Sequence, residues 1–318
     1  MPAAIAGLVF LLGVFAPAVV ALALTDRAEG RAATRALLAR VLEGRVGARW
    51  YVFAIGFMLA IKLSVALVHR LVTGVWPAFG QTAWYVMAAA IVVSTWVQAG
   101  EEIGWRGYAL PRLTERFGLA PASLILGVIW ACWHLPLFFV PGGDTFGQSF
   151  PLYLLQVIAL SVALSWLYWR TGGSLLLVMV MHAAVNNTKD IVPSAVAGAA
   201  DPFALSTSFA GWLTVALLWT AAVYFLVRMR KTATLSNGST GGDDRREVQG
   251  GHDDIATDAE SKLQVAPCTA RRNAARANRR VESSVWSGEF ESFMINGISV
   301  QPRTTASQPS SFIREMTR

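Results

Sequence analysis

Charged residues are scarce in this sequence. Only 15% of its 318 residues are Asp, Glu, Lys or Arg, whereas 54% are hydrophobic and the mean hydropathy is +0.46. Soluble globular domains carry about 25% charged residues, so this deficit favours a membrane protein. The formal net charge is +7, but basic residues also mark the cytoplasmic loops of membrane proteins. We therefore predict no nucleic-acid partner.

Cysteine is also rare, and two common sequence signals are absent. The chain has two cysteines, Cys132 inside an apolar run and Cys268 in a polar region. This usage excludes a disulfide framework. The sequence shows neither an internal repeat nor a glycine-rich loop of the kind that binds phosphate.

The composition changes near Lys231, which divides the chain into two parts. Residues 1–231 hold the long apolar runs and are predicted to form a membrane domain. Residues 232–318 are polar and contain 11 basic and 11 acidic residues, so the positive net charge belongs to the membrane domain. Because the polar part lacks a sustained helix or strand period, we predict a mostly disordered cytoplasmic tail.

Seven apolar segments approach the length needed to cross a bilayer. We therefore predict an all-α, polytopic membrane helix bundle with about seven transmembrane helices. The first segment lacks a basic region before it, which favours a retained helix over a cleaved signal peptide. The segments lie near 3–24, 50–69, 83–104, 120–140, 150–169, 174–190 and 207–227.

The basic residues around these segments indicate an orientation. If the spans alternate, the loop 25–49 and the regions after the third, fifth and seventh spans share one side. Those regions hold 13 Lys or Arg residues, against only Arg70 and Lys189 on the other side. The bias predicts a multi-pass protein of the cell membrane with its N-terminus outside and its C-terminus in the cytoplasm.

Two adjacent carboxylates stand out beside the third apolar segment. Glu102 and Arg106 are four residues apart, so on a helix they share a face and can pair. Glu101 is turned about 100° away, which leaves it available as a base or a ligand. Alternatively, both glutamates lie at the cytoplasmic surface in water, and this stretch alone does not decide between the two interpretations.

Two histidines in later apolar segments favour a polar site inside the membrane. His134 is the ionisable residue of segment 124–139, and His182 shares a helical face with Asn186. A single membrane histidine is more often a packing element, but here two accompany the paired glutamates. Carboxylate, imidazole and amide groups are those that metal-assisted or water-mediated hydrolysis uses.

Three motifs in this region carry a family resemblance. They are "EEIGWR" (Glu-Glu-x-x-x-Arg), "WACWH" (aromatic-x-x-x-His) and "HAAVN" (His-x-x-x-Asn). In this order on successive hydrophobic segments, they resemble the CAAX-protease and bacteriocin-processing family of intramembrane endopeptidases. That family includes the type II CAAX prenyl endopeptidases. The resemblance covers about residues 90–190, and Trp130 stands where phenylalanine is common.

The resemblance implies a role for each motif residue. Glu101 and His134 would activate the water that attacks the peptide bond, while His182 and Asn186 would stabilise the oxyanion. Glu102 and Arg106 would give structural support. The implied substrate is a membrane-embedded or lipidated, prenylated-type peptide in the bilayer. A divalent metal such as zinc is an open question, with Glu101, His134 and His182 as candidate ligands.

Two other functions fit the same residues. One is a non-catalytic membrane protein of this fold that binds or regulates a partner, and the other is a transporter. The endopeptidase hypothesis also meets a geometric difficulty. If the third span ends near 104, Glu101 lies closer to the cytoplasmic face than His134, unless that span tilts or residues 107–123 fold back.

Overall fold

The computed structural model describes residues 3–140, 145–194 and 201–238, and every regular element within these ranges is helical. The predicted all-α class is therefore confirmed. The α-helices are α1 Ala3–Ala39, α2 Ala48–Thr73, α3 Trp84–Val97, α4 Ala99–Glu102, α5 Leu110–Phe117, α6 Leu119–Trp133, α7 Phe150–Arg170, α8 Leu175–Thr188 and α9 Phe209–Gly238. Most of the predicted tail, residues 239–318, lies outside the described residues.

Among the described residues, six helical spans are long and apolar enough to cross a membrane. Helices suit this environment because they satisfy the backbone hydrogen bonds of a segment internally. The spans match six of the seven predicted segments. The remaining segment, 174–190, forms α8, which has only 14 residues and a length of about 21 Å.

Helix α8 nevertheless runs from one end of the bundle to the other. At its start, the Ser174 hydroxyl donates to the carbonyl of Glu43, in the connection between α1 and α2. Beyond its end, the carbonyl of Ile191 accepts from the amide of Gly80, between α2 and α3. Since α2 joins the same two ends, α8 lies parallel to it. Although α8 is shorter than the roughly 30 Å hydrocarbon core, it can cross the bundle because it is largely buried in protein.

The bundle therefore has an arginine-rich end, defined by residues 40–47, Gly118 and residues 171–174, and an opposite end, defined by residues 74–83 and 189–194. If α8 counts as a seventh crossing beside the six longer spans, the two ends of the described chain lie on opposite sides. This arrangement is consistent with the predicted orientation, which stays a prediction.

The third span differs most from its predicted boundaries. It was expected to end near 104, but helical structure continues to Phe117 through a π-helical segment, Ile103–Ala109. Pro111 directly follows the π-helical segment and has no backbone N–H to donate to the preceding turn, but it does not end the helix. The real break is Gly118, whose φ of 78° favours glycine.

The turn at Gly118 removes the geometric difficulty. It joins α5 to α6 as two packed, antiparallel helices. Glu101 stands 17 residues before this turn and His134 stands 16 residues after it. Counted from the turn, the two residues therefore lie at about the same depth.

Helix α1 also extends further than expected. The predicted span ended at residue 24, but the helix continues to Ala39 and is interrupted at Gly30, where φ is 80°. Most of the predicted loop 25–49 is thus helical. Arg106 also departs from the prediction: it was counted with the cytoplasmic loop residues, but it is fully buried inside the third span.

Close glycine contacts set the position of α1 against the third span. A Cβ at Gly100 would lie 2.7 Å from the Val14 carbonyl oxygen, and one at Gly104 would lie 2.5 Å from the Cβ of Pro17. Small residues four apart allow two helix backbones to approach in a membrane. Gly100 and Gly104 flank the two glutamates, so the same contact positions the carboxylates.

Candidate active site

Glu102 lies at the centre of a buried charged cluster. Its carboxylate oxygens accept two hydrogen bonds from Nη1 of Arg106, at 2.8 and 3.1 Å. Oε1 of Glu102, which accepts the shorter of these two bonds, also lies 2.8 Å from Nδ1 of His182 on α8. Glu102 and Arg106 are both 0% exposed. The predicted Glu102–Arg106 pair is thus present, and it extends to His182, which the sequence did not predict.

The His182 contact defines the roles of its two ring nitrogens. A carboxylate that is paired with an arginine is ionised and only accepts hydrogen bonds. Nδ1 of His182 must therefore carry the proton that it shares with Glu102. The second ring nitrogen, Nε2, is left for any chemical role.

Glu101 is also buried, at 6% exposed, but it belongs to a different contact. Its Oε2 accepts a hydrogen bond of 2.7 Å from the indole Nε1 of Trp130 on α6. Within the described ranges, no cation forms an ion pair with Glu101. The expectation that Arg106 serves only one of the two glutamates therefore agrees with the structure.

His134 follows the last residue of α6 and is partly exposed. Its Nδ1 lies 2.8 Å from the backbone carbonyl of Trp130. Because a carbonyl oxygen can only accept, Nδ1 donates, and Nε2 of the neutral ring carries the lone pair. The ring also contacts Tyr153, with centroids 5.7 Å apart. His134 thus offers Nε2 as a base or hydrogen-bond acceptor.

Trp130 links these groups through both its ring and its backbone. Its ring meets His182 edge-on, with centroids 5.1 Å apart. The Cζ atom of Arg106 lies 4.4 Å from the ring centroid, a cation–π distance. The structure therefore gathers Glu101, Arg106, His134 and His182 around one tryptophan.

Asn186 lies one helical turn beyond His182, but its side chain is exposed. No contact within the described part of the chain joins it to the cluster around Trp130. The neighbouring Asn187 has a packing role, since its amide donates to the Ser94 hydroxyl at 2.9 Å. Of the predicted site residues, only Asn186 stands apart from the others.

Within the described part of the chain, the candidate ligands are not grouped as a metal site. Among the described residues, no three His, Cys, Asp or Glu side chains lie close enough to hold a metal ion. In this arrangement, Glu101, His134 and His182 are therefore not grouped as the three ligands of one zinc ion.

A polar cleft adjoins the cluster at Tyr153. Tyr153 both contacts His134 and lines the cleft, which also reaches Lys62 on α2. The Lys62 ammonium is buried and donates to the Val192 carbonyl and to the hydroxyls of Ser194 and Thr214. The cleft lies toward the end of the bundle that residues 74–83 and 189–194 define. The other lining residues are Gly147, Gln148, Ser149, Leu152, Gln156, Lys189, Asp190, Ser206 and Thr207.

These features define a polytopic helical membrane protein with a buried carboxylate and histidine cluster. Residues 79–188 match the model of the family described as "Type II CAAX prenyl endopeptidase Rce1-like". The chain is also 31% identical over 98 residues to "CAAX prenyl protease 2" of Methanococcus maripaludis, an alignment that covers 29% of this chain and 36% of that protein. The resemblance to the CAAX-protease and bacteriocin-processing family is thereby confirmed for this region.

Two features of the site were missed from the sequence. No hydrogen bond was predicted for the aromatic residue of the "WACWH" motif, but Trp130 donates one to Glu101. The contact between Glu102 and His182 joins residues 80 positions apart. The presence of tryptophan rather than phenylalanine was a usable signal for the first, whereas no local pattern indicated the second.

Proposed function

We propose that this protein is an intramembrane endopeptidase in which a water molecule, activated by Glu101 and His134, hydrolyses a peptide bond. The observation that carries the proposal is the convergence of a carboxylate and two imidazoles around Trp130, inside a membrane bundle. Burying such groups in an apolar environment is costly. A catalytic cluster gives a reason to retain them.

In the proposed reaction, the Glu101 carboxylate takes one proton from a water molecule while the water oxygen attacks the carbonyl carbon of the peptide bond. Nε2 of His134 accepts a hydrogen bond from the second hydrogen and orients the water. When the C–N bond breaks, the leaving nitrogen takes the proton from Glu101. The products are a carboxylic acid and an amine, and the carboxylate is ready for another cycle.

His182 and Asn186 are proposed to stabilise the oxyanion of the tetrahedral intermediate. To donate from Nε2, His182 has to carry protons on both nitrogens, and the Glu102 carboxylate supplies the counter-charge. Arg106 holds that carboxylate in place from the other side. Asn186 would donate from its exposed amide, and this requires the substrate to occupy the space beside α8. Preorganised donors of this type commonly contribute about 10²–10³-fold in rate.

The substrate we propose is a membrane-embedded or lipidated peptide of the prenylated type. The family model and the archaeal relative carry the CAAX prenyl description in their names, which supports this class. The polar cleft at Tyr153 would provide water to a site that is otherwise enclosed by apolar helices. No step in the proposed reaction requires a metal.

The deciding experiment measures cleavage of a membrane-anchored, prenylated peptide by the purified protein in liposomes. Replacing Glu101 with Gln keeps the size of the side chain but removes the base. We expect Glu101→Gln to fold normally and to lose about 10²–10⁴-fold in kcat. Glu115→Gln is the matched control, because Glu115 is exposed on α5, in the same span.

Each alternative function gives a different result. A non-catalytic binding protein would retain the peptide without cleaving it, and Glu101→Gln would change nothing. A transporter would move a solute across the liposome membrane without proteolysis. Full activity in Glu101→Gln would show that the base has been wrongly assigned.

A further inference from the structure

Trp130 offers the site a group that phenylalanine lacks. Its indole N–H donates to Oε2 of Glu101 at 2.7 Å, and the tryptophan is only 4% exposed. This bond joins the third span to α6 inside the protein. A hydrogen bond between a neutral donor and a carboxylate is charge-assisted and stronger than one between neutral groups.

We propose that Trp130 is a positioning residue whose indole N–H fixes the Glu101 carboxylate for proton abstraction. The inference rests on the proposed peptidase function. A glutamate side chain has several rotatable bonds, so an unrestrained carboxylate would spend little time aligned with the water. The indole restrains one oxygen and leaves Oε1 to accept the proton. Holding a base in one geometry is a recognised source of catalytic rate.

The ring of Trp130 is itself held in place. The Arg106 guanidinium lies 4.4 Å from the ring centroid, and the His182 ring meets it edge-on at 5.1 Å. Through these contacts, the Glu102–Arg106 pair determines where the indole N–H points. The Glu102–Arg106 pair therefore helps to position the Glu101 carboxylate through the Trp130 ring.

The backbone of Trp130 acts on the second member of the acid–base pair. Its carbonyl accepts the hydrogen bond from Nδ1 of His134, which leaves Nε2 free for water. One residue thus orients Glu101 through its side chain and His134 through its main chain. A phenylalanine at this position would keep the main-chain contact and lose the bond to Glu101.

The sharpest test deletes the N–H alone. Trp130 is replaced with 3-benzothienylalanine, in which sulfur stands in place of the indole nitrogen and the ring keeps its shape. We expect kcat for the prenylated peptide to fall by about 10- to 100-fold, the range for a lost hydrogen bond to a charged group. KM and the melting temperature should stay unchanged. Trp133 is the control for the same replacement, because it lies on α6 but is 42% exposed.

Trp130→Phe provides a second variant, and NMR of the indole N–H groups provides a readout independent of cleavage. The resonance that disappears in Trp130→Phe belongs to Trp130. In otherwise wild-type protein, Glu101→Gln should shift this resonance upfield, because a neutral amide accepts more weakly than a carboxylate.

The outcomes separate this inference from the proposed function. If the wild-type protein cleaves the peptide and the benzothienyl variant has the same kcat, the positioning role is wrong while the peptidase stands. If the chemical shift of the Trp130 indole N–H does not change in Glu101→Gln, the positioning role is likewise wrong. If the wild-type protein cleaves nothing, the proposed function itself fails. If the benzothienyl variant loses kcat and its melting temperature also falls clearly below that of the wild-type protein, the role of the indole N–H is merely structural.

Discussion

At the scale of single residues, the two adjacent glutamates differ in their partners. Glu101 accepts one hydrogen bond from a neutral indole, whereas Glu102 contacts a guanidinium and an imidazole. Both side chains are buried. A carboxylate with two cationic or potentially cationic partners suits a structural and electrostatic role, while one with a single neutral partner retains an oxygen for proton transfer.

The first prediction concerns Glu102. In Glu102→Gln the buried Arg106 loses its counter-charge, and breaking a buried ion pair costs roughly 3–5 kcal/mol. We expect a clearly lower melting temperature in detergent, together with reduced activity because His182 loses its anionic partner. The measurement is thermal unfolding of Glu102→Gln, Arg106→Gln and the double variant.

The double variant provides the internal check. Because the two residues act as a pair, losing both should cost less than the sum of the two single losses. Strictly additive losses would show that the pair contributes no coupling. A Glu102→Gln protein as stable as wild type would contradict the structural role altogether.

At the scale of helices, the contact between α1 and the third span is so close that a single substitution at Gly104 should disturb it. Gly104 has no room for a side chain, since a Cβ would lie 2.5 Å from Cβ of Pro17 and 2.7 Å from its carbonyl oxygen. These are largely backbone atoms of another helix, which cannot move independently. Any larger residue must therefore push α1 away from the motif helix.

The second prediction is that Gly104→Leu lowers both the melting temperature and the activity, because overpacking a membrane helix contact separates the helices. A cost of at least about 1–3 kcal/mol is expected for this overpacking. Gly56→Leu is the matched control, since Gly56 lies inside α2 and has no atom within 4 Å of an added Cβ. Wild-type stability in Gly104→Leu would refute the close contact.

At the scale of the whole molecule, the number of crossings decides whether the two ends of the membrane domain lie on the same side. In the part of the chain that the structure describes, six helical spans meet the usual criteria of length and composition. α8 adds a seventh crossing by its position beside α2, although it is only 14 residues long. An even number would place both ends of the membrane domain on one side, and an odd number places them on opposite sides.

The third prediction tests this orientation with reporter fusions. Fusions after Arg49 and Arg230 should report a cytoplasmic location, and one after Gly147 should report the outside. The physical reason is the excess of arginine at one end of the bundle. A cytoplasmic signal from the Gly147 fusion would mean that the assigned orientation is wrong or that one crossing is missing.

The fourth prediction concerns the polar tail. Deleting residues 240–318 should leave membrane insertion and peptide cleavage largely intact, because the three motifs end at Asn186. The check compares membrane yield and kcat of the truncated and full-length chains. A truncated protein that fails to accumulate in the membrane would show that the tail contributes to the stability of the membrane domain.

Several properties followed from the sequence alone, because they depend on neighbouring residues along the chain. Apolar runs of about 20 residues predicted the membrane class and the approximate positions of the helices. The four-residue spacing of Glu102 and Arg106 predicted their pairing, since helical geometry brings such residues together. The order of the three motifs identified the family.

Other properties were decided by tertiary packing. The bond between Trp130 and Glu101 joins residues 29 positions apart, and that between His182 and Glu102 joins residues 80 positions apart. No local periodicity encodes such contacts, because they depend on how α6 and α8 pack against the third span. The common depth of Glu101 and His134 required both the extended third span and the turn at Gly118. The short α8 crosses the bundle because protein surrounds it, and burial of this kind is a property of the whole fold.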